Sequence, residues 1–240
     1  MTPKTIAVEA VGLTRIHTAG GGQVRSLDDV SITVARAEVV SVMGPSGSGK
    51  STLLYLLGGL DRPDAGWVKI DGTDWETLGE PARSSFRRGA CGFIVQGQAL
   101  LPQATTLENV ETPLLLAGVD EDARLARAME ALAQVGLADE AVKLPDQLSG
   151  GQQQRVAIAR ALVCDPAVLL ADEPTGSLDS EAAEEVTKLL VNAARERGAA
   201  VVLVTHDPMV AGHSDRVVGL RSGRLDDTDD LRGASIGGER

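Results

Sequence analysis

Aromatic residues are nearly absent: Trp, Tyr and Phe make up 2% of the 240 residues. Hydrophobic residues still reach 43%, so a sizeable core is available, and Val, Leu, Ile and Ala have to fill it. Cysteine is scarce too. Cys91 and Cys164 stand alone, with no C-x-x-C pair; this excludes a disulfide framework and leaves both as ordinary reduced residues. Positive charge is in deficit: 23 Lys and Arg face 34 Asp and Glu, a net charge of −11. Such a chain is poorly suited to tracking a nucleic-acid backbone, which needs clustered Lys and Arg, so no nucleic-acid partner is expected. Long apolar runs are missing as well. No stretch of about eighteen apolar residues is present to span a bilayer. The opening MTPKTIAVEA lacks the charged-then-apolar layout of a secretory leader. A cytoplasmic location is expected, with any membrane attachment borrowed from a partner.

What is present is a pattern of alternating strands and helices. The length suits one large α/β domain, or a core with a subdomain. Ile6, Val8, Val11 and Leu13, then Val30, Ile32 and Val34, recur with period two and predict strands with one covered face. AGGGQ at 19–23 reads as the turn between them. EVVSVM at 38–43 is a short β-branched run that ends at Gly44, and a helix is expected from Lys50. WVKID at 67–71 and GFIVQ at 92–96 read as further strands. From about 105 to 165 the period becomes helical, with Leu125, Ala128, Met129, Leu132 and Val135 on one face. Residues 168–171 and 201–205 are apolar throughout, as in parallel strands covered on both sides. Between them, 181–197 shows Ala182, Val186, Leu189, Leu190 and Ala193 at helix spacing and a Glu184–Lys188 pair. Strand, helix and strand imply a right-handed crossover. No internal repeat is visible.

Residues 44–51, GPSGSGKS, satisfy G-x-x-x-x-G-K-[ST] in full, with a strand before and a helix after. The loop of Gly44, Pro45, Ser46, Gly47, Ser48 and Gly49 would form a concavity for phosphate oxygens, its glycines letting backbone N–H groups point inward. The following helix adds its positive dipole end. Lys50 would reach the β- and γ-phosphates, the Ser51 hydroxyl would bind Mg2+, and Thr52 would help hold the α-phosphate. ATP and Mg2+ are therefore the expected ligands.

VLLADE at 168–173 ends a buried strand in two carboxylates, where α/β sheets bind ligands. Asp172 is placed for Mg2+, and strand alternation would turn Glu173 the other way, toward an attacking water as general base. The pair also fits a capping cluster before the next helix. Gln96 and His206 end two other strands. Gln96 has an amide that suits Mg2+ and water, and His206 a neutral imidazole that suits a γ-phosphate; each also fits an ordinary exposed polar residue. Finally, QLSGGQQQRVAIARALV at 147–163 leads with Ser149, Gly150, Gly151 and Gln152 into a helix. It is a second phosphate-type helix start, nearly a hundred residues after the first.

In order, the phosphate loop, Gln96, LSGGQ at 148–152, VLLADE, SLD at 177–179 and His206 resemble the nucleotide-binding subunit of an ABC transporter. The resemblance covers about residues 5–225, and LSGGQ followed by QQRVAIARAL is its most specific part. It implies a P-loop NTPase core with a mainly parallel sheet, an N-terminal antiparallel β subdomain and an inserted α-helical subdomain at about 97–165. One domain, 1–225, would be followed by a solvated acidic tail, 226–240. VMGPSGSGKSTLLYLLGGLDRP, TLENVETPL and ADEPTGSLDS are most similar to the lipoprotein-releasing and macrolide-exporter branch, with the cell-division ATPase as a cousin.

The resemblance also accounts for the second helix start. Two copies would pack head to tail, with ATP between the loop of one and LSGGQ of the other, and Asp179 would touch the partner copy. The helical segment would sit apart from the core, out of reach of its own phosphate loop. The implied partners are ATP, a second copy and a separate transmembrane permease, which would hold the ATPase on the cytoplasmic face. The implied work is export or extraction of a lipoprotein, peptide or drug-like substrate. The alternative is a mechanotransmitting ATPase that acts on a membrane protein without moving a solute. A soluble ATPase acting on DNA or ribosomes fits less well, because long coiled-coil insertions and zinc-type cysteine clusters are missing.

Two departures stand out. His17 occupies the position where the family has an aromatic stacked on adenine, which predicts weaker or less base-selective binding. After Gln96, GQALLPQ replaces an aromatic-containing stretch in the region that receives the permease.

Overall fold

The computed structural model describes residues 5–19 and 22–226. Strands β1 (Ile6–Ala19) and β2 (Gly22–Ala35) form a long hairpin, followed by β3 (Val39–Met43) and helix α1 (Lys50–Leu57). Then come β4 (Ala65–Ile70), β5 (Thr73–Asp74), α2 (Glu80–Ala90) and β6 (Cys91–Ile94). Three helices follow: α3 (Thr106–Leu116), α4 (Glu121–Gln134) and α5 (Gly150–Leu162). The chain continues through β7 (Val168–Asp172), α6 (Ser180–Glu196), β8 (Ala200–Val204) and α7 (Pro208–Ala211). It closes with β9 (Arg216–Arg221) and β10 (Arg224–Asp226). Apart from Asp226, the expected acidic tail lies outside the described residues.

Two sheets organise these elements. An antiparallel one has the order β2-β1-β4-β5, and a six-stranded one has the order β10-β9-β3-β8-β7-β6. In the second sheet all pairs but β9–β10 are parallel. The apolar runs of its strands split by parity. Val40, Val42, Val168, Leu170, Val202 and Val204 pack toward the antiparallel sheet and α1. Val39, Leu169, Ala171, Val201 and Leu203 pack toward the helices on the other side. A strand buried on both faces needs no polar positions, which is why these segments carry no alternation.

β1 departs from the expected period. Its pairing with β2 shifts register between Ala10 and Leu13. Val8, Ala10 and Leu13 are buried, whereas Ile6 and Val11 are each 41% exposed. The bulge moves Val11 off the face that it was expected to share with Leu13. On α4 the buried stripe is Ala128, Ala131, Leu132 and the adjoining Val135, while Met129 is exposed one step around the helix. Both cysteines are free. Cys91 is buried, and burial pushes its thiol up to about 12, so it stays an inert core residue.

Of the inserted helices, α5 packs directly on the sheet. Val156, Ile158 and Leu162 of α5 share one apolar cluster with Leu169, Ala171, Val201 and Leu203. A Cβ at Gly92 of β6 would lie 2.3 Å from the Ala161 carbonyl oxygen, so this glycine lets α5 lie directly on the edge strand. Asp165, after α5, accepts from Arg127 of α4 and from Arg197 beyond α6.

Candidate functional site

β3, β7 and β8 are adjacent parallel strands, and their carboxyl ends open into a cleft of about 460 Å3. From β3 the cleft receives the phosphate loop: Gly44, Ser46, Gly47, Gly49, Lys50, Ser51 and Thr52. Gly49 caps α1 with φ at 107°, and a Cβ there would lie 2.2 Å from the Ser26 carbonyl oxygen. Only glycine satisfies both constraints. Lys50 Nζ donates to the carbonyl oxygens of Gly44 and Pro45, at 2.8 and 2.9 Å. The loop thus holds its own cation over the concavity. Pro45 and Ser48 are not among the lining residues. Ser48 is 3% exposed, packed beneath the loop, and its carbonyl accepts from Gly223 N–H at 3.1 Å.

Asp172 is the last residue of β7 and sits in register with Val204 of β8. Glu173 then turns left-handed, with φ at 46°. Its N–H donates to the Val204 carbonyl at 3.0 Å. Strand alternation stops at Asp172, and Asp172 and Glu173 both line the same cleft. A left-handed Glu is strained by roughly 1–3 kcal/mol and persists only where surrounding contacts enforce it.

His206 and Gln96 also line the cleft. His206 was expected as a neutral imidazole aimed at a phosphate. In the structure its Nδ1 lies 2.8 Å from Glu173 Oε1. That hydrogen bond, with the negative charge of Glu173, raises the imidazole above its ordinary pKa. The His206 side chain is 73% exposed and that of Glu173 17%, so the pair sits at the mouth with its carboxylate turned inward. Ser26 and Gly176 complete the wall. Neither was named as a candidate site residue, although Gly176 lies within ADEPTGSLDS; the packing of β2 and of the loop after β7 brings them in.

The oxygen donors fit a hard cation. The Ser51 hydroxyl, Gln96 amide and Asp172 carboxylate line one cleft. Among the described residues there is no cluster of three or more His, Cys, Asp or Glu arranged to hold a metal. One carboxylate combined with substrate phosphates is the usual way Mg2+ is held.

Ser149, Gly150, Gly151 and Gln152 of LSGGQ line a different cavity, of about 680 Å3, together with Arg155, Ser177, Leu178 and Asp179. Ser149 Oγ accepts from Gln152 N–H at 3.2 Å, and Gln152 Oε1 accepts from Ser149 N–H at 2.9 Å. This capping box starts α5. Gly150 and Gly151, the first helical residues, keep N–H groups that no helical carbonyl can reach. No residue lines both cavities. Asp179 Oδ1 is engaged in this chain, capping α6 by accepting from Ala182 N–H at 2.9 Å. His17 lies outside the cleft, exposed on β1 and in register with Val24 of β2.

Among the described residues no helix is long and apolar enough to cross a membrane. Residues 27–176 match the family model described as ABC transporter. The chain is 47% identical over 219 residues to the lipoprotein-releasing system ATP-binding protein LolD of Bordetella avium, covering 91% of this chain and 95% of that one. It is 49% identical over 214 residues to the macrolide export ATP-binding/permease protein MacB 1/2 of Paracoccus denitrificans, covering 89% of this chain and 32% of that protein. Among solved structures it resembles the ATP-binding cassette MJ0796, a dimer in a post-hydrolysis state bound to ADP and Pi. The TM-score is 0.83 at 41% identity, covering 91% of this chain and 96% of that one. With a phosphate loop, two carboxylates and a signature helix on one P-loop scaffold, the chain belongs to the ABC transporter family as one of its ATP-binding, ATP-hydrolysing subunits.

Proposed function

We propose that two copies of this ATPase close head to tail on ATP and Mg2+, and that the closing and opening drive a separate membrane-embedded permease. One observation carries this reading: the two phosphate-type helix starts of a single chain open into separate cavities. A phosphate loop wraps one side of a triphosphate. The Gly150 and Gly151 N–H groups and the dipole of α5 suit the side left open, and only a second copy can deliver them there.

Within the cleft, Lys50 leaves the Gly44 and Pro45 carbonyls for the β- and γ-phosphates, a charge-assisted exchange that favours the bound state. Ser46, Gly47 and Gly49 turn backbone N–H groups to the β-phosphate, and Thr52 steadies the α-phosphate. Ser51, Gln96 and Asp172 hold Mg2+, which neutralises phosphate charge when bound. Glu173 accepts the proton of the attacking water. Before ATP arrives its carboxylate is held by His206. A γ-phosphate competes for that imidazole, so the same event that places the substrate frees the base. Loss of the terminal phosphate removes what both copies grip, and the dimer population shifts toward open.

An apolar groove of about 400 Å3 lies against β6, α3 and α5, with Phe93, Val95, Pro113 and Leu116 along it and Arg87 and Arg88 beside them. This groove takes a permease segment and holds the ATPase at the cytoplasmic face of a membrane. The names of the LolD and MacB relatives favour export or extraction of a lipoprotein, peptide or drug-like substrate over mechanotransmission. Sedimentation of Glu173→Gln tests the dimer. With ATP and Mg2+ it should run as a stable dimer, and without them as a monomer; a monomer under both conditions refutes the reading.

A further inference from the structure

Just after Gln96 three consecutive residues take left-handed backbone: Gly97 at φ 81°, Gln98 at 59° and Ala99 at 47°. Glycine does this freely, but Gln and Ala are strained there and need contacts that enforce the shape. Two side chains from distant parts of the chain supply them. Arg160 of α5 donates to the carbonyl oxygens of Ala99 and Gln98, at 2.8 and 2.9 Å. Gln98 Nε2 donates to Ser177 Oγ at 3.1 Å, across 79 positions of sequence.

Each of these groups belongs to a different surface. Arg160 lines the apolar groove assigned to the permease. Gln96 lines the phosphate cleft, and so do Glu173 and Gly176 at the start of the other loop. Ser177 and Asp179 line the LSGGQ cavity. The loop from Glu173 to Asp179 is itself compact, since Gly176 N–H donates to the Glu173 carbonyl and Leu178 N–H to that of Thr175, at 3.2 and 3.0 Å. Pulling on Ser177 therefore moves residues of both cavities.

We infer that Gln98 is a positioning residue, whose bond to Ser177 ties the loop carrying Gln96 to the loop carrying Glu173 and Asp179, so that groove, cleft and LSGGQ cavity change position together. This rests on the roles proposed above for Gln96, Glu173 and Asp179. One hydrogen bond between partly exposed side chains adds little to folding, but it biases a coupled equilibrium by about 2- to 10-fold.

The test is steady-state ATP hydrolysis by the full-length chain carrying Gln98→Ala, Ser177→Ala or both. Each single change should lower kcat by about 2- to 10-fold, with KM for ATP and the melting temperature essentially unchanged. The double variant should be no slower than the slower single one, because both remove the same bond. Gln98→Glu, whose carboxylate accepts from the Ser177 hydroxyl, should keep most of the rate. Losses that multiply in the double variant, an unchanged kcat in both single variants, a kcat loss that tracks a lowered melting temperature, or no rescue by Gln98→Glu overturn the inference. Glu173→Gln measured alongside separates the two levels. If it turns over normally, the reading of the cleft fails; if it is inactive while Gln98→Ala runs at full rate, only the inference fails.

Discussion

The phosphate cleft and the LSGGQ cavity use the same element, a glycine-led helix start, in two different ways. In the cleft, Gly47 and Gly49 take φ values of 78° and 107°. The backbone there curls into a concave nest, and Lys50 waits over it. At LSGGQ, Gly150 and Gly151 are already helical, and the Ser149 and Gln152 side chains are occupied with each other. What remains is a helix end that offers N–H groups without a curled loop around them, and the nearby cation, Arg155, is paired with Glu185 at 2.9 Å. The first surface can hold a triphosphate by itself. The second can only add to a phosphate already held. On the proposed reading, that asymmetry makes ATP a bridge between copies instead of a ligand of one.

The sharpest way to probe this difference is at the chemistry. Glu173→Gln should cut kcat by about 10²- to 10⁴-fold and leave ATP affinity nearly unchanged; rapid-quench hydrolysis and equilibrium binding measure the two quantities. Lys50→Ala should weaken ATP binding by the isolated chain about 100-fold, since it removes charge-assisted bonds from the cleft proposed to enclose the phosphates. Gly151→Asp should leave that binding untouched while abolishing ATP-dependent dimerisation. A Cβ at Gly151 meets nothing within 4 Å, so the fold tolerates the change, but the carboxylate would face a phosphate. If Gly151→Asp weakened monomer binding as much as Lys50→Ala, the two surfaces would not differ as argued. His17→Tyr should tighten ATP binding by about 3- to 10-fold, a fraction of a full aromatic stack.

The smallest effect concerns pH. Pairing with Glu173 raises the folded-state pKa of His206 above its unfolded value. The pair's contribution to stability is then fully present below the unfolded pKa and is lost as pH rises through the folded one. Denaturant unfolding of the nucleotide-free chain should show a small gap between wild type and His206→Ala below about pH 6.5 that closes at alkaline pH. The gap is small because the imidazole is mostly exposed.

Much of this was legible in the sequence because the chemistry is local there. Residues 39–57 carry a strand, the phosphate loop and a helix in sequence, so the cleft could be placed from spacing alone. The two-sided sheet followed from unbroken apolar runs such as VVLV. What could not be read depends on contacts between distant segments. The positive φ of Glu173 overrode strand alternation, because its N–H is captured by Val204 of the neighbouring strand. His206 found a carboxylate within the same chain before any phosphate was offered. Val11 was displaced by a bulge that no local composition announces. Ser26 reached the cleft only because the hairpin folds over α1.

The most direct test of the two-chain site mixes two variants that are each inactive, Lys50→Ala and Gly151→Asp. In a mixed dimer one site combines both defects, and the other combines an intact phosphate loop with an intact LSGGQ. Hydrolysis should reappear on mixing, at up to about half the wild-type rate, because neither variant closes on ATP with itself and each mixed dimer holds one complete site of two. A mixture no more active than its two components would contradict the account.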